Sequence, residues 1–268
     1  MRNTAGNTGL EDLAQIVDRC RGLLDSPVVE DEFLSATARV ASHAFLGNST
    51  QSVYSRQINF LSRLLKEYCG RDARNINVLD WGCGKGHITY LLRSHGFNVT
   101  CCDIDRHNDD STFGQETPII DHLQIKVIPL SHESELPFED RSFDCVVSFG
   151  VLEHVQSDRD SLAEIRRVLK PSGLFYVTFL PYVLSWTQAM ARLRGDSYHD
   201  RLYRKRSFAR LSNNAGFRVC YLTLGQLFPK NSVPLLFDRT LEPIDRFLCA
   251  YTPFKYFATN LEAILLAS

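Results

Sequence analysis

Three glycines alternate with other residues directly after a short apolar run of the sequence. Gly82, Gly84 and Gly86 follow residues 78–81 and precede a stretch with helical periodicity. A loop of this kind turns sharply and lets a ligand approach the backbone beside a helix N-terminus. The next apolar run ends in Asp103, 21 residues after Gly82, near the spacing at which an acid accepts hydrogen bonds from a ribose. The pattern predicts a nucleoside-containing ligand, and the alternate spacing of the glycines argues against a dinucleotide-binding dehydrogenase.

The elements that must position this loop alternate between β-rich and helical patterns from residue 77 onward. The β-rich runs contain mainly Val, Ile, Phe and Cys, which is typical of a parallel sheet covered on both faces. We expect a loop or a shortened helix between residues 105 and 124, where Gly114 and Pro118 interrupt the pattern. The predicted strands are 77–81, 98–103, 124–129, 143–149, 174–180 and 217–224, and the predicted helices are 87–94 and 159–169.

The N-terminal part of the chain has a different pattern. Helical periodicity covers residues 10–24, 31–45 and 53–68, and a polar break follows at 70–75. We therefore expect a helical N-terminal extension over residues 1–74 that covers the site. The α/β domain is expected over residues 75–268.

Composition and charge set limits on partners and location. The 268 residues include 30 Lys plus Arg and 31 Asp plus Glu, so no overall charge attracts nucleic acid or an anionic membrane. The eight cysteines form no CxxC pair, which argues against a zinc ribbon and suits a reducing compartment. The first residues lack the apolar stretch of a signal peptide, and the longest apolar run is too short to span a bilayer. We expect a cytoplasmic protein without a membrane span.

Several blocks together resemble one enzyme family. Residues 78–86 resemble the first motif of class I S-adenosylmethionine-dependent methyltransferases, and Asp103 matches their ribose-binding acid. Residues 136–144, 147–155 and 169–174 resemble the fourth-strand and fifth-strand blocks of the small-molecule, methyltransferase type 11-like branch, which includes ubiquinone-type methyltransferases. The resemblance implies S-adenosylmethionine as the cofactor.

The same resemblance implies the architecture. The expected fold is α/β, with a Rossmann-like, doubly wound seven-stranded sheet. Its last strand, predicted at 260–266, runs antiparallel to the others. A helical N-terminal extension and a helical insertion at 225–259, before the last strand, complete the expected fold.

The resemblance also assigns cofactor contacts. The glycines would leave room for the amino-acid and ribose parts of the cofactor, and Asp80 would orient the loop and the methionine ammonium. Where many family members carry an Asp that binds the adenine amine, this sequence has Ser131, His132 and Glu133. The residues predicted to bind the cofactor are Asp80, Gly82, Cys83, Gly84, Gly86, Asp103, Ile104, His132, Glu133 and Phe149.

Two histidines are candidates for catalysis. Methyl transfer requires alignment of the acceptor atom, and a hydroxyl acceptor also benefits from a general base. His154 follows the fourth strand and His199 follows the fifth, and we expect His199 to contact the acceptor; a hydrogen-bonded wall residue is the alternative for each. Some family members hold a divalent ion near Glu153 and His154, but Gly150 replaces one expected ligand, so the sequence predicts no metal.

Two regions bear on the acceptor. Residues 192–210 contain seven basic residues against two acidic ones, which predicts either a solvated helix face or a rim for an anionic acceptor. Residues 225–259 contain seven aromatics, which predicts an extra helical layer or a lid over an apolar acceptor.

The sequence thus predicts methyl transfer to a small-molecule acceptor, oxygen more than nitrogen or carbon, and anionic or lipid-like. An RNA or protein methyltransferase is the alternative within the enzyme class. A protein that binds S-adenosylmethionine without catalysis is the alternative outside it. Basic residues with few interleaved aromatics do not favour a nucleic-acid partner.

Overall fold

The structure is a computed structural model that describes residues 5–22, 48–104, 118–195, 199, 201–228 and 235–268. A seven-stranded sheet forms its centre, in the order β3-β2-β1-β4-β5-β7-β6. The strands are β1 Asn77–Trp81, β2 Asn98–Ile104, β3 Val127–Leu130, β4 Phe143–Phe149, β5 Leu169–Pro181, β6 Phe217–Gly225 and β7 Asn260–Ala267.

The pairing of the strands confirms the predicted fold. β3, β2, β1, β4 and β5 pair in parallel, and β7 runs antiparallel between β5 and β6. The carboxyl ends of the parallel strands therefore meet at one edge of the sheet, where ligands bind in folds of this kind.

Helices surround the sheet in the described residues. The glycine loop leads directly into α3, and α5 connects β4 with β5. The helices are α1 Ala5–Gly22, α2 Asn48–Cys69, α3 His87–Ser94, α4 Pro118–His122, α5 Asp158–Val168, α6 Trp186–Leu193, α7 Lys205–Asn214 and α8 Leu235–Tyr251. A short 3-10 helix, Pro253–Phe257, precedes β7.

Local signals explain where α5 begins and ends. The Ser157 side chain accepts a hydrogen bond from the Asp160 backbone N–H, and acidic residues occupy the first turn. Arg166 and Arg167 occupy the last turn, where their charge suits the helix dipole. The helix ends one residue before the predicted end, because Leu169 is already extended and begins β5.

The third strand is shorter than predicted. The sequence predicted residues 124–129, whereas β3 covers Val127–Leu130. Gln124 has a φ of 47°, and the backbone N–H of Ile125 donates to the carbonyl of Ile120 at 2.9 Å. Residues 124 and 125 therefore close the turn that follows α4 instead of extending the strand.

The sheet separates two apolar layers, because alternate strand residues point to opposite faces. In β1, Val78 packs in one layer, and Leu79 and Trp81 pack in the other. The first layer also contains Leu61 of α2 and Leu13 of α1, which are fully buried. The N-terminal helices thus share a core with the sheet.

A buried ion pair joins α1 to the last strands. The guanidinium of Arg21 pairs with Glu262 and lies 4.8 Å and 4.2 Å from the ring centroids of Phe60 and Tyr221. Glu262 also accepts from the Tyr176 hydroxyl at 2.9 Å. The two side chains are 27% and 14% exposed, so the pair is largely buried where it connects α1 with the sheet.

The predicted helix at 31–45 lies outside the described residues. So do the end of the predicted helix at 10–24, most of the loop at 105–124, residues 196–198 and 200 of the basic region, and residues 229–234 of the predicted insertion. In the part of the chain that is described, no helix has the length and apolar character to cross a membrane.

Candidate active site

The glycine loop forms where β1 ends. Gly82, Gly84 and Gly86 have φ values of 73°, 54° and 82°, a region that side chains other than glycine rarely adopt. A Cβ on Gly82 would lie 2.4 Å from a methyl carbon of Val151, in the turn that follows β4. The glycines thus allow both the left-handed turn and close contact with the neighbouring strand end.

Asp103 lies beside this loop at the end of β2. One carboxylate oxygen accepts from the backbone N–H of Gly84 at 2.6 Å, and the other accepts from that of Ile104 at 2.8 Å. Ile104 itself is 51% exposed. A carboxylate offers about four acceptor positions, so these backbone bonds orient the group without using up its capacity to accept from hydroxyls.

Asp80 lies beneath the loop. It is 1% exposed and accepts a 2.6 Å hydrogen bond from the hydroxyl of Thr89, in the first turn of α3. Burial raises the pKa of this carboxyl to about 7. The Cys83 side chain is buried in the core, so only the backbone of Cys83 is available to a ligand. Contact between Asp80 and a methionine ammonium stays a prediction.

The loop after β3 is joined to the loop after β4. Nε2 of His132 lies 3.4 Å from the side-chain oxygen of Gln156, and Glu133 accepts from the Gln156 backbone N–H at 2.5 Å. Partial burial raises the pKa of the Glu133 carboxyl, but hydrogen bonds from the backbone N–H groups of Gln156 and Glu133, together with the His132 charge, leave the pKa below its ordinary value. His132 and Glu133 are thus held at the same sheet edge as Asp103.

Aromatic rings form a wall next to the glycine loop. Tyr54 of α2 lies 4.5 Å from the His87 ring, 5.9 Å from Phe149 and 5.3 Å from Phe179, between ring centroids. Phe179 has a φ of 62°, which is rare for a bulky residue and is typical of functional sites. The Gln57 side chain donates to the Thr178 hydroxyl at 2.9 Å and ties α2 to this end of β5.

A carboxyl group and two imidazoles meet after β4. Glu153 is 3% exposed, and burial raises the pKa of its carboxyl to about 7. One oxygen of Glu153 lies 3.8 Å from Nε2 of His154, and the other has no hydrogen-bond partner among the described residues. The rings of His154 and His199 are 5.6 Å apart between centroids. The structure therefore brings both predicted catalytic histidines together beside a buried acid.

Two residues join the segment carrying His199 to the turn carrying His154. The Arg201 guanidinium donates to the carbonyls of Val155 at 2.9 Å and Gln156 at 3.2 Å. The hydroxyl of Tyr203 donates to the carbonyl of Leu152 at 3.1 Å. These bonds set the spacing between the two histidines.

Comparisons with known proteins identify the family. Residues 53–222, more than half of the chain, match the model of a methyltransferase domain family. The chain belongs to the class I S-adenosylmethionine-dependent methyltransferases. A ubiquinone biosynthesis O-methyltransferase of Rickettsia bellii is 29% identical over 122 residues, which are 46% of this methyltransferase and 49% of that protein.

Other similar proteins differ in acceptor. A sarcosine/dimethylglycine N-methyltransferase of Aphanothece halophytica is 32% identical over 131 residues, 48% of this methyltransferase and 46% of that protein. The matches thus span about half the length of these curated relatives. A methyltransferase structure from Thermotoga maritima, described as a possible histamine N-methyltransferase, covers 88% of this chain and 99% of its own, with a TM-score of 0.52 and 12% identity. At that identity the likeness shows the fold alone.

The residues around the glycine loop of the methyltransferase suit its cofactor. The left-handed turn of Gly84 leaves backbone without a Cβ atom at the end of β1, where its N–H donates to Asp103. Asp103 places a fixed hydrogen-bond acceptor beside it, as two ribose hydroxyls require. The assignment of individual cofactor contacts stays a prediction.

The cluster of Glu153, His154 and His199 offers three ligand atoms that lie within 4.8 Å of one another. Two imidazoles and one carboxylate suit zinc or manganese better than magnesium, which prefers oxygen ligands. The three groups also suit proton transfer, which needs no ion. The absence of a metal in this methyltransferase stays a prediction.

Sequence reasoning missed several groups near the site. His87 could have been predicted as a site residue, because it directly follows Gly86 of the glycine loop. Burial, and then the nearby Lys85 charge, lowers the pKa of its imidazole to about 4. Tyr54 and Phe179 carry no local signal, because they reach the loop of the methyltransferase only through the packing of α2 and the bend in β5.

Proposed function

We propose that this methyltransferase transfers the methyl group of S-adenosylmethionine to an oxygen atom of a small-molecule acceptor. The observation that supports the proposal best is the contact between the two parts of the site. Val151 packs on Gly82, and His154 lies three residues further along the same turn. A ligand held by the glycine loop is therefore adjacent to the histidine cluster.

The bound cofactor supplies a methyl group on a positively charged sulfur, which is already activated for displacement. The chain's own task is to align the acceptor with that methyl group and to exclude water. Tyr54, Phe149 and Phe179 provide an apolar wall for both purposes.

The histidine cluster accounts for the choice of oxygen. A hydroxyl must lose its proton to become a good nucleophile, whereas a neutral amine already offers a lone pair. His199 is the proposed base that takes the hydroxyl proton, and the His154 ring and the buried Glu153 carboxyl lie beside it. The Rickettsia relative, named an O-methyltransferase, fits this choice, and the Aphanothece relative, named an N-methyltransferase, represents the competing one.

We further propose an anionic or lipid-like acceptor in a cytoplasmic setting. Arg192, Arg194 and Arg204 are exposed in the region that follows β5, and no acidic residue lies within 201–228. In this proposal the helices of residues 1–74 and the insertion at 225–259 cover the two sides of the acceptor site.

The direct test uses methyl-labelled S-adenosylmethionine and a cell extract separated into small-molecule, RNA and protein fractions. The proposal predicts label in the small-molecule fraction, unaffected by nuclease or protease. Label lost with nuclease or protease would favour the RNA or protein alternative. Cofactor binding without any labelled product would favour a non-catalytic binding protein.

A further inference from the structure

Helix α6 does not bury its apolar side chains. Trp186, Met190 and Leu193 recur at helical spacing along one side of the helix, and they are 40%, 40% and 81% exposed. No residue of α6 is buried. The indole N–H of Trp186 donates to the carbonyl of Leu227 at 2.6 Å, which anchors the start of the helix while the rest projects outward.

A second exposed stripe lies on α8 and the 3-10 helix after it. Ile244, Phe247 and Tyr251 lie on one side of α8, and the rings of Phe247 and Tyr251 are 5.4 Å apart between centroids. Phe254 and Phe257 follow, each more than half exposed. This stripe is aromatic for most of its length, unlike an ordinary solvated helix face.

The two stripes form one surface. An apolar cavity of about 410 Å³ lies between them, and its lining consists of Trp186, Leu227, Phe228, Leu248, Phe254 and Phe257. Ten of the twelve large apolar side chains exposed in the described residues lie here, which is more than chance scatter on a surface explains. We call this surface the aromatic face; it consists of Leu184, Trp186, Met190, Leu193, Ile244, Phe247, Tyr251, Phe254, Tyr256 and Phe257.

The surroundings of the aromatic face carry positive charge. Arg192 and Arg194 are exposed on either side of Leu193. Burial, and after it the positive charge of Lys255, lowers the pKa of Lys205. In the described parts of 182–228 and 243–257 the only acid is Asp245, which is 5% exposed and accepts from the Leu227 N–H at 2.7 Å.

We propose that the aromatic face binds the surface of an anionic lipid bilayer. Aromatic and aliphatic side chains on short helices enter the headgroup region, and flanking Lys and Arg residues attract anionic headgroups. A second copy of the chain is a less suitable partner, because like charges would repel each other across the interface: Arg192, Arg194, Lys205 and Lys255 of each copy would face the same residues of the other. A negatively charged lipid surface would attract these residues instead.

Binding in this way orients the sheet. The aromatic face follows Pro181 of β5 and precedes Asn260 of β7, and these two residues pair at the carboxyl edge of the sheet. The glycine loop lies at the same edge, so the bound protein presents this edge to the bilayer. The docking itself does not depend on the proposed methyl transfer.

The test is co-sedimentation of the full chain, without cofactor or acceptor, with lipid vesicles. Vesicles of phosphatidylcholine mixed with phosphatidylglycerol are compared with vesicles of phosphatidylcholine alone. We expect at least about tenfold stronger binding to the anionic vesicles, weakened by salt. The variant Leu193→Asn with Tyr251→Asn, at two strongly exposed positions, should lose about tenfold in binding.

Matched variants distinguish the contribution of the aromatic face from general effects of substituting exposed residues. Arg192→Ser with Arg194→Ser should lose about fivefold in binding per arginine. Leu123→Asn and Arg159→Ser, which are exposed outside the aromatic face, should bind as the unchanged protein does. The proposal is overturned if vesicles of both kinds leave the protein in solution, or if the face variants bind like the controls. It is equally overturned if size-exclusion chromatography shows a dimer that the Leu193→Asn, Tyr251→Asn variant dissociates.

Discussion

The two halves of the active-site edge are built in different ways. The half that we propose to hold the cofactor, the cofactor half, is made of Asp80, the glycine loop and Asp103. It joins the ends of two neighbouring strands through bonds such as the 2.6 Å bond from the Gly84 N–H to Asp103, 19 residues away. The half that we propose to serve the acceptor, the acceptor half, is made of Glu153, His154, His199 and Arg201. It is assembled from segments about 45 residues apart in the chain.

This difference explains why the residues of the cofactor half can be predicted from the sequence, whereas the arrangement of the acceptor half cannot. A glycine loop needs particular backbone angles, so its residue types and spacing are fixed locally. The acceptor half needs only that certain side chains meet in space, and many sequences satisfy that requirement. Substitutions in the two halves should therefore affect cofactor binding and methyl transfer separately.

The largest effect is expected from Asp103→Ala. The substitution removes a charged acceptor for the ribose and the bonds that fix Gly84 and Ile104. Loss of two charge-assisted hydrogen bonds should weaken cofactor binding by about a thousandfold. The dissociation constant from fluorescence titration tests this, with Asp121→Ala as the exposed control. Unchanged affinity would remove Asp103 from the cofactor half.

His199→Ala should lower kcat by about a hundredfold, the effect expected of a lost general base. Cofactor affinity should stay the same, because His199 belongs to the acceptor half. Steady-state kinetics with an identified acceptor measure both quantities, and His95→Ala is a control far from the cluster. If kcat is unchanged, the role assigned to His199 is wrong.

Glu153→Gln should change how stability depends on pH. Burial raises the pKa of Glu153 to about 7 from its ordinary value of 4.5, so the native state holds its proton more tightly than the unfolded state. This stabilisation is present below about pH 4.5 and is lost as the pH rises through 7. The free energy of unfolding of the Gln variant, relative to the unchanged protein, should therefore rise by about 3 kcal/mol between pH 4 and pH 8.

Urea unfolding at several pH values tests this prediction. Glu135→Gln, at an exposed position, should show no such difference. A parallel pH dependence in Glu153→Gln and the unchanged protein would show that Glu153 ionises normally.

Arg201→Ala should lower kcat by about tenfold, because it releases the Val155 and Gln156 carbonyls and shifts the turn that carries His154. As a positioning residue, Arg201 should affect kcat while the cofactor dissociation constant stays constant. Arg201→Lys should restore part of kcat, since it retains one donor. Equal losses in both variants and in cofactor affinity would indicate general destabilisation.

The smallest effect is expected from metal removal. Dialysis against EDTA should change the rate of methyl transfer by less than about twofold, because we propose that the cluster transfers a proton, which needs no ion. Lost activity that zinc or manganese restores would instead assign Glu153, His154 and His199 to a metal centre.

Sequence patterns predicted the fold more completely than the site. The bounds of β1, β4 and α3 agree with the prediction, because apolar runs next to glycine turns leave little choice of register. The start of β3 was wrong, because the turn at Gln124 depends on hydrogen bonds to α4. Tyr54 and Phe179 could not be found, since their meeting depends on how α2 packs against β5.

Calorimetric titration with S-adenosylmethionine tests the central claim most directly: that one half of the edge holds the cofactor and the other serves the acceptor. The unchanged protein and His199→Ala should bind one cofactor with equal affinity, and Asp103→Ala should give no measurable heat. Absence of binding by the unchanged protein, or equal loss of affinity in both variants, would contradict the account.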